Sequence, residues 1–208
     1  MENNTQKKTS ITPLFYRGVP AITGDENNVV IPFNIEDYAN LCEELVYVID
    51  FLKRGFQYVV NREFFFCGYS VEEVMSLGYD FYPIVIHPDD MAPFADMHAT
   101  ILKRAFTMKT PDEINYFSFN LRIKTVIGYL MAYHKMKLIF VDGHVRFGIC
   151  MMTNSVSDQS GNLRAYYPGD MVFEEYSTDR GWQKAETQPL TMQEKKYLFL
   201  QDRDIPTR

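Results

Sequence analysis

The sequence predicts an α+β fold in which two groups of antiparallel strands are separated by helices. Three observations support this class. Two short apolar segments flank a loop that ends in glycine, helix signals occupy residues 61–106, and three long segments of alternating polarity follow residue 115. The chain has 208 residues, of which 46% are apolar and 23% charged. This composition is typical of globular proteins and excludes a wholly disordered chain or a fibrous repeat.

Charge and cysteine content exclude several classes of function. The formal charge of −6 gives no electrostatic footprint for nucleic acid. No apolar run approaches the roughly 18 residues that cross a bilayer, and the N-terminus lacks a secretory signal. We therefore expect a cytoplasmic protein with no membrane partner. The widely spaced Cys42, Cys67 and Cys150 favour neither a disulfide framework nor a metal site.

Residues 1–34 are predicted to form an irregular N-terminal arm, with a short strand near Val29–Ile31. Asn34 is a favourable cap for a helix over Ile35–Leu45, because its side chain can accept a hydrogen bond from the first free backbone amides. Apolar residues recur on one stripe of that helix. The arm and the helix are expected to cover a neighbouring sheet or a partner chain.

A hairpin and short helices are predicted next. Val46–Ile49 and Phe56–Val60 are rich in β-forming residues and flank a loop that ends in glycine. Ser70 and Glu73 have the spacing of a capping box, in which each side chain binds the backbone amide of the other residue. The helix that begins there is expected to end near Gly78, where a left-handed backbone conformation is tolerated.

The longest helix is predicted over Pro88–Phe106. Proline at the first helical position gives up only an amide that has no partner there. Asp89 and Asp90 complement the positive end of the helix dipole. Apolar residues share one face of this helix, and His98 is the polar exception on that face.

Residues 116–151 are predicted to form a three-stranded antiparallel meander. Apolar and polar residues alternate in Tyr116–Lys124 and in Tyr129–Val141, as in strands with one buried face. Asp142 and Gly143 form a strong two-residue hairpin signal that leads into a third strand. The inward-facing residues of this third strand are predicted to be Val145, Phe147, Ile149 and Met151.

The order of these elements resembles the PAS fold, which is a five-stranded antiparallel sheet with helices packed on one face. The hairpin over residues 46–61 resembles the opening hairpin of that family, and Cys67–Val74 resembles its "GYS.EE" stretch. His87–Asp90 matches the "HPDD" sequence that often precedes the connecting helix. The resemblance implies a PAS-like sensor domain over residues 35–158.

The C-terminal residues 190–208 carry a second resemblance. Leu190–Leu198 is similar to the opening helix of LuxR-type DNA-binding domains, and Thr191 and Glu194 have capping-box spacing. The second, groove-inserting helix of such a domain is absent before Arg208. The chain is therefore either the sensor part of a longer transcriptional regulator or only accidentally similar. DNA would be contacted only through this incomplete output domain.

Residues 159–189 are predicted to form a β-rich connector. Leu163–Tyr167 and Val172–Tyr176 are expected to pair as a hairpin, and Trp182 could anchor it to the main sheet. Two interpretations remain open for this segment, a rigid link between sensor and output or an extension without function.

Two histidines are candidate ligand-binding residues. His98 lies in a place comparable to the axial histidine of haem-binding PAS sensors, so the resemblance implies a haem-based gas or redox sensor as one alternative. The other interpretation is a core histidine bonded to a backbone carbonyl or to solvent. His134 lies on the apolar face of its strand, where it would face the same interior. A register error of one residue would turn it to solvent.

Six apolar residues complete the predicted pocket, namely Phe64, Phe94, Phe117, Phe119, Met136 and Phe147. Residues of this bulk favour a filled core over a large cavity, but thioether side chains would also adapt to a small apolar metabolite. The sequence has no hydrolase, metalloprotease or nucleotide-binding motif, so no catalytic or metal-binding role is expected. Flavin photochemistry is disfavoured, because the reactive cysteine stretch of flavin-binding PAS sensors is missing.

The sequence thus predicts a PAS-like sensor of a transcriptional regulator, acting in the cytoplasm as a homodimer. It would bind a small ligand or relay a signal through rearrangement of the dimer. Two alternatives are a haem sensor that uses His98 and a dimerisation scaffold that binds no ligand.

Overall fold

The computed structural model describes residues 10–24, 34–41, 44–60, 67–169 and 172–186. Within these ranges eight strands form one antiparallel sheet, in the order β2-β1-β5-β4-β3-β6-β7-β8. The strands are β1 (Leu45–Asp50), β2 (Gly55–Val59), β3 (Tyr116–Thr125), β4 (Gly128–Val141), β5 (His144–Asn154), β6 (Gly161–Tyr166), β7 (Val172–Ser177) and β8 (Gly181–Glu186).

The helices precede the meander. They are α1 (Thr12–Phe15), α2 (Ile35–Leu41), α3 (Val71–Leu77), a 3₁₀ helix (Gly78–Phe81), α4 (Tyr82–Val85) and α5 (Pro88–Ala105). Local signals explain where several of them begin. The Asn34 side chain accepts hydrogen bonds from the first turn of α2, and the predicted capping box of Ser70 and Glu73 is confirmed at the start of α3. At α5, the ring of His87 accepts a hydrogen bond from the Asp89 amide.

The predicted five-stranded PAS-like sheet is wrong, because the described residues form a sheet of eight strands. β6 pairs with the outer edge of β3, and β7 and β8 extend the sheet further. A free edge strand exposes a row of unpaired backbone amides and carbonyls, and pairing with the next segment of the chain satisfies them. The predicted hairpin of β6 and β7 is confirmed, but it continues the main sheet.

A β-bulge in β5 reverses the predicted orientation of that strand. Leu138 of β4 pairs with Gly148, whereas Phe140 pairs with Val145, so β5 holds one extra residue between these two pairs. An extra residue shifts the alternation of all side chains beyond it to the other face. The residues of β5 that face the core beyond the bulge are Gly148, Cys150 and Met152.

Phe147 shows the consequence of this bulge. The sequence predicted that it would face the pocket, but the structure places it on the opposite face of the sheet. There it pairs with Asp50 in β1 and with Ile139 in β4. Val145 lies before the bulge and belongs to the core, as predicted. A period-two pattern does not reveal a bulge, which explains why the prediction for Phe147 differs from the structure.

The main core lies between one face of the sheet and the helices. An ion pair holds α5 against β3 at this interface. Asp90, in the first turn of α5, is buried and accepts hydrogen bonds from the backbone and guanidinium of Arg122 and from Ser160. Burial alone would raise the pKa of Asp90, but these hydrogen bonds lower it below its ordinary value. The structure thus adds an ion pair to the dipole role that the sequence predicted for Asp90.

Candidate functional site

A small cavity of about 50 Å³ lies between the helices and the sheet. Its helical wall is formed by Val74, Phe81, Tyr82, Val85 and Phe94. The wall on the side of the sheet includes Leu45, Tyr47, Phe56, Val59, Ile123, His134 and Met152. A cavity of about 150 Å³ holds a benzene molecule and a water takes about 30 Å³ in the liquid, so this cavity has room for one or two waters or for about two non-hydrogen atoms of a ligand.

His134 is the imidazole in the cavity wall. β4 places it opposite Phe119 in β3 and Met152 in β5, and its ring stacks on Phe119 with centroids 5.0 Å apart. The residue is 4% exposed, and neither ring nitrogen has a hydrogen-bond partner among the described residues. Burial lowers the pKa of His134 to about 3. The ring is therefore neutral near pH 7 and has one donor and one acceptor nitrogen.

Tyr82 faces the same cavity from the helices. Its ring packs edge-on against Phe94 with centroids 5.0 Å apart, and Phe94 in turn contacts Phe119 at 5.8 Å. Tyr82 is 5% exposed, and its hydroxyl oxygen has no partner among the described residues. Burial raises the pKa of Tyr82 well above its ordinary value. The phenol therefore keeps its proton and can both donate and accept a hydrogen bond.

Buried polar atoms without hydrogen-bond partners, in residues that line a cavity, can indicate a binding site for water or for a small ligand. Each buried donor or acceptor that lacks a hydrogen bond costs about 1–3 kcal/mol, and folded proteins keep such groups rare. The hydroxyl of Tyr82 and the two ring nitrogens of His134 belong to residues that line one cavity. A partner for these atoms would come from outside the described residues, as a buried water or a small ligand.

His98 lies outside this cavity, and both of its ring nitrogens have protein partners. Nδ1 lies 3.2 Å from the carbonyl oxygen of Phe15, and Nε2 lies 3.1 Å from the hydroxyl of Tyr79. Burial lowers the pKa of His98 to about 4. Of the two interpretations from sequence, this geometry fits the core histidine. An iron ligand at Nε2 would have to displace Tyr79, and the nearby cavity is far smaller than a porphyrin.

His98 is part of a linear chain of polar contacts that ties α1 to the core. Tyr79 lies 3.0 Å from the hydroxyl of Tyr16, which in turn lies 3.1 Å from the carbonyl oxygen of Phe51. This series of polar contacts has four members and ends at the carbonyl oxygens of Phe15 and Phe51, which can only accept hydrogen bonds. Two phenols and one neutral imidazole supply three protons, so one of these contacts lacks a proton.

The other residues predicted to line the pocket differ in their position relative to the cavity. Phe94 lines the cavity, and Phe119 supports the ring of His134. Phe117 and Met136 are buried in the core without lining the cavity, and Phe117 contacts Trp182 at a centroid distance of 6.0 Å. Phe64 lies outside the described residues, as do the predicted strand near residue 30 and the LuxR-like helix.

Tyr82 is one of the cavity residues that could not be identified from the sequence. It is one of 14 tyrosines, and it lies in a four-residue helix where no apolar periodicity identifies an inward face. The only local signal is the following Pro83, which marks the start of a helix but not the direction of a side chain.

Within the described ranges, no cluster of three or more histidine, cysteine or acidic side chains could hold a metal ion. No helix in this part of the chain is both long enough and apolar enough to cross a bilayer. Comparison with protein-family models and with curated proteins finds no match. The PAS and LuxR resemblances therefore stay predictions from the sequence.

Proposed function

We propose that this chain is a sensor module that binds a small molecule in the cavity and relays its presence through the helices above the sheet. The observation that carries this proposal is an apolar cavity lined by two buried residues, His134 and Tyr82, whose polar atoms have no partner. A purely structural core would gain stability from apolar residues at both positions, because unpaired polar groups are costly.

The cavity wall supplies a route for the signal. Tyr82 belongs to α4 and His134 to β4, so a guest that bonds to both would link the helical layer to the sheet. Such a guest changes the conformation only if it binds one arrangement of α3 and α4 more tightly than another. Small changes in helix packing would then be the output of the module.

The proposal keeps two expectations from the sequence, a cytoplasmic homodimer and a role within a transcriptional regulator. Light scattering coupled to size-exclusion chromatography measures the oligomeric state. A dimer mass that changes when the cavity is filled would support a signal through dimer rearrangement, whereas a monomer under all conditions would contradict this part of the proposal.

The test of the proposal is a binding screen that does not assume one chemical class. The probes are alcohols, aldehydes, amides, carboxylates and hydrocarbons of two or three non-hydrogen atoms, a size set by the cavity volume of about 50 Å³. Binding is measured by the NMR shift of the His134 ring protons, and hydrogen exchange is measured in α3 and α4. We expect at least one probe to shift His134 and to slow exchange in both helices.

A pair of substitutions controls for unspecific effects. Val74→Leu adds a methylene group to the cavity wall and should block the shift of His134. Val145→Leu adds the same group in a part of the core that does not line the cavity and should leave binding unchanged. A screen in which no probe of any class shifts His134 would contradict the sensor proposal.

A further inference from the structure

We infer that Phe15 fills a binding site for an uncharged aromatic ring and that α1 is the lid of this site. Phe15 is fully buried, although it belongs to a helix of only four residues. Its ring lies in a cage of four aromatic side chains, namely Tyr79, Tyr82, Phe94 and His98. The cage is a second site beside the cavity that His134 lines, and Tyr82 and Phe94 border both spaces.

The geometry of the cage suits a planar ring. The four cage rings have their centroids between 5.1 and 5.3 Å from the centroid of Phe15. Tyr79, Phe94 and His98 meet Phe15 edge-on, with interplanar angles of 65°, 77° and 89°. Aromatic rings favour this arrangement, because the positive edge of one ring faces the negative face of another. A saturated ring cannot make these contacts and is thicker, so the space selects an aromatic ligand.

The attachment of α1 to the rest of the protein depends mainly on Phe15 and Tyr16. The helix is one turn long and has no side-chain hydrogen bond at its N-cap. Leu14 is 41% exposed on the outer side, and the ion pair between Arg17 and Asp96 is exposed, with a distance of 3.8 Å. Exposed ion pairs of this kind contribute little to stability.

The polar contacts of α1 are also easily replaced. Asp80 accepts hydrogen bonds from the Ser10 hydroxyl and the Ile11 amide at the exposed start of the helix, where water can take their place. The series of polar contacts through Tyr16 and His98 lacks one proton. A short segment held in this way can open locally while the remaining domain stays folded.

The cage has contacts of its own that do not involve α1. Its four residues belong to the 3₁₀ helix, α4 and α5. Tyr82 packs against Tyr79 and Phe94 with centroid distances of 5.3 and 5.0 Å, and the Tyr79 hydroxyl lies 3.1 Å from Nε2 of His98. Withdrawal of Phe15 would therefore vacate the volume of one phenyl ring. Apolar cavities of about this size in proteins bind benzene.

The walls of the cage favour an uncharged ligand. None of its four residues is charged at pH 7, because burial lowers the pKa of His98 to about 4. An ion among these rings would have no counterion in the cage, which is strongly unfavourable. The expected ligands are neutral single rings such as benzene and toluene, and aromatic acids or amines are excluded in their charged forms.

The first experiment measures amide hydrogen exchange in the full wild-type chain, with and without toluene. The amides of Leu14, Tyr16 and Val19 each donate to a carbonyl of the same segment, so their exchange reports the opening of α1. We expect these amides to exchange at least about 100-fold faster than those in the middle of α5. Toluene should bind the open state and speed exchange in α1 at least about three-fold, without an effect in α5.

Two substitutions within the same turn test the role of Phe15, with binding measured by calorimetry. Phe15→Ala should bind toluene at least about ten-fold more tightly than the wild type, because no side chain competes for the cage. Leu14→Ala is the matched control, because it truncates an exposed neighbour, and it should change the affinity less than about two-fold. Methylcyclohexane should bind Phe15→Ala more weakly than toluene, and benzoate should not bind.

The possible results are distinguishable. If the α1 amides exchange only with global unfolding, as those of α5 do, the lid is overturned, even if Phe15→Ala does not fold. Equal toluene affinity of Phe15→Ala and the wild type, or no toluene binding to either, overturns the site. Methylcyclohexane or benzoate that binds as tightly as toluene overturns the aromatic class. None of these results decides the sensor proposal, whose test is the response of the His134 ring to smaller probes.

Discussion

The two buried histidines of this chain have opposite surroundings. His98 and His134 are 1% and 4% exposed, and burial lowers the pKa of both. His98 nevertheless has a partner for each ring nitrogen, whereas His134 has none among the described residues. Neither burial nor a lowered pKa is therefore enough to identify a binding residue. Unsatisfied hydrogen-bonding capacity in a cavity wall is the feature on which the proposal for His134 rests, because a water or a ligand can relieve its cost.

The largest expected effect concerns acid, and it tests what the two histidines share. Both are neutral when folded, with pKa values of about 4 for His98 and about 3 for His134, against an ordinary value near 6.5. The unfolded chain therefore binds more protons below pH 6.5, so the free energy of unfolding falls as the pH drops from about 6.5 to 4. The expected loss is about 2–3 kcal/mol per histidine. Urea unfolding at several pH values measures it.

The corresponding single variants identify the source of this acid sensitivity. His98→Leu and His134→Leu should each remove about half of the loss between pH 6.5 and 4, because each removes one histidine that must charge on unfolding. A wild-type unfolding free energy that stays constant over this range would show that neither ring is neutral and buried as described.

The second prediction distinguishes the two histidines by the free energy of unfolding of their leucine variants at pH 7. His98→Leu removes the partners of Phe15 and Tyr79 and should lower the free energy of unfolding by about 2–4 kcal/mol. His134→Leu removes two unpaired nitrogens and should change it by less than about 1 kcal/mol, in either direction. Chemical denaturation measures both values. Equal costs for the two variants would mean that His134 has partners after all.

A smaller effect is expected for two tyrosine hydroxyl groups in the same helical region. Tyr79→Phe leaves the Nε2 of His98 without a partner and should cost about 1–2 kcal/mol of unfolding free energy. Tyr82→Phe removes an unpaired hydroxyl and should be neutral or slightly stabilising in the protein without ligand. The melting temperatures of the two variants give the comparison. A larger loss for Tyr82→Phe than for Tyr79→Phe would contradict the hydrogen-bond assignment.

The smallest expected effect comes from Tyr16, at the other end of the series of polar contacts that includes His98. Tyr16→Phe removes one proton together with two of the four contacts, so each of the two that remain can have a proton, and Tyr16 is only partly buried. We therefore expect a cost of about 0.5 kcal/mol, clearly less than for Tyr79→Phe. Thermal unfolding of the two variants side by side is the measurement. A cost for Tyr16→Phe as large as for Tyr79→Phe would contradict the greater burial of Tyr79 and its role as the partner of His98.

Much of the secondary structure could be predicted because its causes are local. The capping box at Ser70 and the proline at position 88 mark helix starts through interactions within one turn, and both helices begin there. Alternation of polarity likewise predicted β3 and β4. The inward position of His134 followed from the same alternation, since its strand has no bulge before that point.

Other features could not be predicted because they depend on distant partners. The bulge that turns Phe147 to the opposite face arises where β5 pairs with β4, and the sequence of one strand does not contain that register. The number of strands was also wrong, because residues 161–186 were considered separately from the sheet whose edge they complete. Tyr82 was missed because four helical residues are too few to show a periodic face.

The sequence alone predicts the starts of α2, α3 and α5, the positions of seven of the eight strands among the described residues, and the inward direction of His98 and His134. The sequence does not show which of the two histidines finds hydrogen-bond partners in the folded chain. That outcome depends on whether a carbonyl or a hydroxyl from a remote segment reaches the ring, as Phe15 and Tyr79 reach His98. Periodicity orients a side chain toward the interior, but only the packing of separate segments determines what it meets there.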